Sequence, residues 1–462
     1  MIDNTIDATE LAKTNYTEYS TYVAQGRAYP CITDGAKSSY KRAIYGMYLN
    51  KSNKIVKVAE LAAHALPYHP HPTSISGVIV QLGDEGNKLK LMDTQGNWGD
   101  SSRKIEPSAE RYIGGKLSLL AEHLLCDSID YCRTIKGEID KDEPAALPAL
   151  IPLCFINGLQ GIPSGLPTLN IPTIDIIGMI DYYIEILTNK DVNYKPKKYP
   201  KPNLEVNVTS TLDEWNAILS TGRGTLKTAP TMTIEGNVIT ITALPRTKNV
   251  DHVRKVIEKE ILLDKVDLRD ETAEDLCIVV EKVPHKQCDM KELYKRLYTK
   301  LQSSETYNMA FFDEEKIYVP CSFDKVVRTN IQYLIDTHTA RIDAELVVAK
   351  NKLKILQIIE HLKKKNLVKP LFDLDYDGAV SFIVNNIKDI TATDASKVLQ
   401  KPISYLTKEH YKEIEDLEAE IAQLENNKIN IFDFLITKYK AIKKEISSAI
   451  KNKFKPTKFV KA

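Results

Sequence analysis

Two long stretches near the C-terminus constrain the fold more than any other part of the chain. Between 323 and 364, Ile342, Leu346, Ala349, Leu353 and Leu356 recur at heptad spacing. Between 407 and about 450, Ile414, Leu417, Ile421, Leu424, Ile431 and Leu435 do the same. An apolar residue every three or four positions keeps one stripe of a helix facing a partner. A short apolar segment, about 366–401, lies between them. The simplest folded form is two long antiparallel helices with a small helical globule at their far end. Heptads alone say nothing of chemistry.

Upstream the pattern changes twice. From about 200 to 320 it turns to strands, with Val238-Ile239-Thr240-Ile241-Thr242 alternating after a Gly236-Asn237 turn. From about 25 to 140 short helical periods carry basic residues. Tyr16, Tyr19, Tyr22 and Val23, at near-helical spacing, end an N-terminal arm. The resulting division is an arm (1–24), a first domain (25–140), a second (141–322) and the long-helix domain (323–462). The fold class is α+β.

A net charge of +1 means that any polyanion must be held by local clusters, not by a global field. Three such clusters occur. Arg27 precedes Asp34-Gly35, a turn, and Lys37, Lys41 and Arg42 follow on a predicted helix at i, i+4 and i+5. His69 and His71 precede a second predicted helix, 74–82, which begins at Ser74. Imidazoles at a helix N-terminus suit phosphate. No acidic or cysteine partner stands at metal-ligand spacing from them. Third, Arg111-Tyr112 is flanked by Arg103, Lys104 and Lys116, and follows the polar loop Asp93-Thr94-Gln95-Gly96-Asn97-Trp98-Gly99. A phenol, ordinarily titrating near pH 10, needs neighbouring positive charge to act as a nucleophile. A guanidinium can bind phosphate oxygens as charge builds on them.

These motifs resemble those of the DNA-cleaving A subunits of type IIA topoisomerases. The loop resembles "D-G-Q-G-N-W/F-G", and the family's Arg-Tyr pair follows it. Residues 27–42 resemble "R-A-L-P-x-x-x-D-G-L-K-P-x-x-R-R". Residues 68–74 resemble "Y-H-P-H-G-D-S". Ile151 to Gly165 resembles "P-x-L-L-V-N-G-x-x-G-I-A-V-G", which aligns Ile162 with an isoleucine that wedges between base pairs. Gly222-Arg223-Gly224-Thr225 resembles a landmark of the family's tower domain. Departures stand at Pro72 and Thr73 (for Gly-Asp), Val78 (for an acid), Glu110, Gly114 and Pro163.

The resemblance implies a winged-helix DNA-binding domain, a mixed α/β tower, and an antiparallel coiled coil ending in a dimer-gate globule. It implies Tyr112 as nucleophile and Arg111 as transition-state stabiliser. Arg27, Lys37, Lys41, Arg42, His69, His71 and Ser74 would hold DNA, with Ile162 as the wedge. It further implies a homodimer on double-stranded DNA, working with B-type partner subunits that bind ATP and Mg²⁺. The length is similar to the medium subunit of large tailed bacteriophage enzymes, which would place the protein in a host cytoplasm. With the chain stopping soon after the second long helix, DNA relaxation and unlinking are expected, and not supercoiling. The alternative is a non-catalytic DNA scaffold. A tyrosine recombinase is disfavoured, because its tyrosine lies near the C-terminus.

Other readings fall away. Seven scattered cysteines without a C-x-x-C pair indicate neither zinc nor a disulfide framework. Asp373-Leu374-Asp375-Tyr376-Asp377-Gly378 imitates a calcium loop, but its twelfth position would be Val384. Pro148 and Pro152 interrupt the most apolar run, so no membrane helix is expected. Gly114-Gly115-Lys116 lacks the rest of a phosphate-binding P-loop.

Overall fold

A computed structural model describes residues 8–450, apart from 70, 102–104, 140, 260–264, 274, 403–404 and 406–409, and also residues 457–460. The chain divides into two compact units, one of residues 1–334 with 436–462 and one of residues 335–435.

In the first unit, helix α1 (Ala8–Val23) runs into a single wide turn, Ala24–Ala28, that carries Arg27. Helices α2 (Ser38–Leu49), α3 (Val58–Ala65) and α4 (Pro72–Leu82) follow. They pack beside a three-stranded antiparallel sheet of β1 (Val56–Lys57), β2 (Met92–Gln95) and β3 (Gly114–Leu117), in the order β1-β3-β2. Ile44, Val58, Ile75, Ile79 and Leu117 on these elements, and Trp98 in the loop after β2, are all buried.

The Asp34-Gly35 turn ties this bundle to the segment around Leu147 and Cys154. The Asp34 carboxylate accepts the N–H groups of Ala36 and Leu147, each at 2.8 Å. Burial pushes its pKa up to about 6. Gly35 has φ +65°, and a Cβ there would lie 2.8 Å from Cys154 Sγ. Only glycine combines that backbone with that closeness.

Beyond it, strands 159–161 and 169–171 form a hairpin at the edge of a five-stranded sheet, followed in order by 303–308, 223–229 and 207–208. Between 229 and 303 the chain builds a four-stranded sheet with helices Val250–Lys259 and Met290–Lys300. This insert has its own core of Ile239, Ile241, Val253, Ile278, Val280 and Leu297. The expected Gly236-Asn237 turn is the hairpin loop here, with Glu235 paired to Val238.

Helix Phe323–Lys364 is one continuous element, as its periodicity predicts, and it passes into the second unit at residue 335. There Ile342, Leu346, Ala349 and Leu356 pack against Leu417, Ile421 and Ile431. Ion pairs Asp343–Lys428, Lys350–Glu425 and Lys352–Glu413 run in opposite sequence directions, so the two helices are antiparallel. The returning stretch is not one helix. Tyr411–Ile429 and Ile431–Ile450 are separated at Asn430, whose φ −107° and ψ 45° leave the helical region. Residues 366–401 resolve into short helices Val368–Leu371, Tyr376–Asn386 and Ala392–Leu399 around Ile383, Ala395 and Val398. The acidic run that imitates a calcium loop is a helix cap, with Asp375 Oδ1 accepting Gly378 N–H at 2.8 Å.

Candidate nucleic-acid interface

Arg111 and Tyr112 sit in a turn just before β3, in the long loop from β2, not on a helix. Tyr112 N–H closes the turn on Ala109 O at 2.9 Å. The phenol is 65% exposed, far outside what packing asks of a tyrosine. Arg111 Cζ lies 4.8 Å from its ring centroid, so charge developing on the phenolic oxygen meets a neighbouring cation. Lys57 Nζ donates to Tyr112 O at 3.3 Å.

Trp98 makes this loop rigid at its base. It is fully buried, and its indole N–H donates to Gln95 O and Gly114 O, both at 3.2 Å. Gly83 and Gly115 are bare because of it; a Cβ would come within 2.4 Å and 2.7 Å of the indole ring. Asn97 adds two ties, donating to Glu106 O and accepting from Gly99 N–H. The polar loop motif is therefore a brace for Tyr112. Lys116 is engaged with Asp93 at 3.8 Å, and Arg103 and Lys104 lie outside the described residues.

A second group forms at the start of α4. Arg27 and His71 are both exposed, and Arg27 Nη2 lies 2.5 Å from His71 Nε2. The guanidinium can only donate, so Nε2 accepts. Ser74 Oγ donates to His71 O at 2.9 Å and accepts from His69 Nε2 at 3.0 Å. His69 itself is buried, with Nδ1 unpartnered. Burial first, then the charge of Arg42, holds its pKa below the usual imidazole value. His69 is thus a neutral brace that orients Ser74 and the start of α4. His69, expected as a phosphate contact, is therefore placed behind Ser74 and not at the surface.

Lys41 and Arg42 need a larger correction. Both are buried, and both point at Glu143, which is 2% exposed. Glu143 accepts from Lys41 Nζ at 3.2 Å and from Arg42 Nε at 2.9 Å, while Arg42 Nη1 reaches Glu138 at 3.1 Å. Their spacing predicts a basic outer face, yet that face turns inward. Glu143 gives no sign of this in the sequence, being one acid among several in a polar stretch.

Lys37 keeps an exposed edge. It donates to Gln160 O at 2.7 Å, on the hairpin that carries Ile162. Ile162 is 84% exposed, so nothing in the described chain covers it. The hairpin is pressed against the Arg27 turn, since a Cβ on Gly161 would lie 2.2 Å from Ala28 O. Arg27, Lys37 and Ile162 therefore belong to one assembly. Among the described residues, no hydrogen bond, ion pair or ring contact joins Arg111 or Tyr112 to Arg27, His69 or His71.

Among the described residues no group of three or more His, Cys, Asp or Glu side chains is placed to hold a metal ion. Nor is any helix there long and apolar enough to cross a membrane.

Comparison with known proteins bears on this geometry. The profile of the family described as the A subunit of DNA gyrase/topoisomerase IV matches residues 27–451. The A subunit of DNA topoisomerase 4 from Haemophilus influenzae is 27% identical over 467 residues, 96% of this chain and 61% of its own length. That from Escherichia coli is 25% identical over 444 residues, 89% of this chain and 57% of its own. The A subunit of DNA gyrase from Thermotoga maritima is 25% identical over 453 residues, 89% of this chain and 53% of its own. The chain spans about three-fifths or less of these relatives.

Proposed function

The chain belongs to the family of DNA gyrase and topoisomerase IV A subunits, and on that premise we propose that it cleaves and reseals duplex DNA as the A-type component of a type IIA topoisomerase. The observation that carries this reading is the exposed Arg111–Tyr112 pair, held out on a loop that Trp98 braces. A tyrosine so placed is available to a large substrate. The guanidinium beside it suits a reaction that builds negative charge.

In this reading Tyr112 Oη attacks a backbone phosphorus and the P–O3′ bond breaks. The phenolic proton is lost to solvent and the departing 3′-oxygen takes one up. The 5′-phosphotyrosyl diester keeps the energy of the broken bond, and reversal reseals the strand. Arg111 binds the non-bridging oxygens as charge grows on them. Arg27 and His71 receive an adjacent phosphate, with His69 and Ser74 holding α4 in position. Lys37 lies along the same strand path, and Ile162 wedges into a base step and bends the duplex.

The three helices and the β1-β3-β2 sheet act as a winged helix, with the Tyr112 loop as part of its wing. The sheets of residues 141–322 act as the tower. The antiparallel helices act as a coiled coil, and the helices of 366–401 as its dimer gate. Two copies cut the two strands, each supplying one Tyr112. ATP and Mg²⁺ belong to B-type partner subunits in this reading.

The test is a cleavage assay on supercoiled plasmid with Mg²⁺ and a cognate partner subunit, stopped with detergent. Linear DNA with protein on its 5′ ends is expected from the parent and not from Tyr112→Phe. An equal adduct in Tyr112→Phe overturns the nucleophile assignment. Binding with no adduct from the parent supports a non-catalytic scaffold instead.

A further inference from the structure

Beside Ile162 lies an open groove of about 700 Å³, walled by the 159–171 hairpin and by strands 223–229 and 303–308. Its lining holds two cations, Lys37 and Arg223, and no carboxylate. In a chain of net charge +1 with 62 acidic residues, a concave surface with that balance selects anions. Lys37 comes from the start of α2 and Arg223 from the strand 223–229. Lys37 donates to Gln160 O, which leaves N–H groups for a ligand.

Arg223 is exposed, and its guanidinium has no partner among the described residues. Its place is fixed by the sheet. It stands opposite Asn308 in register, so the two side chains share a sheet face. Asn308 Nδ2 is engaged with Thr168 O at 3.0 Å, and Asn170 Nδ2 with Thr306 O at 2.9 Å. The amides thus stiffen the groove, and Arg223 is the side chain left over. Asn170 Nδ2 also donates to Glu305 Oε1 at 3.2 Å, a carboxylate that Arg246 pairs at 3.4 Å, so the guanidinium of Arg223 stays unpaired and suits a bidentate phosphate contact.

We propose that this groove holds a backbone phosphate of the duplex step into which Ile162 wedges, with Arg223 clamping it and Lys37, at the start of α2, supplying the second cation of the lining. This rests on the DNA-cleaving reading and deepens it. Arg223 is a positioning residue: it touches DNA away from the reacting phosphorus and sets the bend. A wedge alone opens a base step, and a clamp beside it keeps the backbone from sliding back.

The test uses full-length Tyr112→Phe protein and a fluorophore-labelled duplex, with affinity measured across a salt series and bending by end-to-end energy transfer. Arg223→Gln is expected to reduce the magnitude of the log-affinity versus log-salt slope by about 0.9, as loss of one phosphate contact requires. It should also reduce the bend. Arg223→Lys should restore the slope but only part of the bend, because the ammonium keeps the charge and loses the fork. An unchanged slope or an unchanged bend in Arg223→Gln overturns the clamp. Ile162→Ala separates the two readings. If it abolishes the bend while Arg223→Gln changes nothing, the clamp fails and the DNA-cleaving reading stands. If the Tyr112→Phe parent binds no DNA, both fail.

Discussion

Neutralising Glu143 is the sharpest probe of how this chain uses its basic residues. Lys41 and Arg42 are 6% and 5% exposed, and Glu143 lies between them with three contacts of 2.9–3.2 Å. At about 3 Å and an effective dielectric of about 20, each pair gains about 5 kcal/mol of Coulomb energy before desolvation is subtracted. Most of that gain offsets the cost of burying the ions. Removing one partner is different, because it strands the others. Glu143→Gln keeps one accepting oxygen but removes the charge, so Lys41 has only neutral acceptors, the amide and Ala145 O at 3.4 Å, and Arg42 keeps Glu138 as its carboxylate partner. The expected loss is roughly 3–5 kcal/mol. In urea this should move the unfolding midpoint of the first unit by about 1 M or more. The loss should persist in high salt, since a buried pair is poorly screened. A triple replacement, Lys41→Met, Arg42→Leu and Glu143→Leu, should recover most of it. Arg42→Met should leave the salt slope of DNA binding unchanged. The reasoning is refuted if Glu143→Gln costs under about 1 kcal/mol while Arg42→Met lowers that slope by about 0.9, as a phosphate-contacting arginine would.

Two further outcomes rest on the same geometry. Trp98→Ala should cost about 3–5 kcal/mol locally and abolish covalent adduct, while DNA affinity changes by only a few fold; adduct formed at the parental yield would show that the loop needs no brace. His69 supplies a pH dependence. Its folded pKa lies below the unfolded value near 6.5, so below that pH the unfolded chain binds more protons and stability falls. Asp34, raised to about 6, works oppositely and adds stability as pH falls from 6 towards 4. The comparison is therefore with His69→Gln, which keeps the N–H to Ser74: the parent should lose stability relative to it between pH 7 and 5, and a constant difference would contradict the buried neutral imidazole.

What the sequence could and could not disclose depends on which interactions are local. Heptads report a helix's own buried stripe, so Phe323–Lys364 and its partners at Leu417 and Ile421 were legible at once. The break at Asn430 was not, because one non-helical residue leaves the apolar period on both sides intact. The Arg111–Tyr112 contact was legible, since the exposed tyrosine and the cation beside it are neighbours in the chain. The brace was hidden. That Trp98 needs bare glycines at 83 and 115 is a fact of three distant segments meeting. The basic helix misled for the same reason. Lys37, Lys41 and Arg42 share a charge and a helix, and periodicity places them near one face without saying what that face meets. Glu143, about a hundred residues away, turns two of the three inward and leaves Lys37 at the groove. Charge read along a chain therefore overstates a DNA surface, and counting only cations without a carboxylate partner corrects it. In the proposed reading the DNA contacts shift accordingly from the middle of α2 to Arg27, Lys37, Arg111 and Arg223. They are drawn from the wide turn after α1, the start of α2, the loop before β3 and the strand 223–229. No single stretch of sequence contains more than two of them, which is why the proposed interface draws on several motifs and not one.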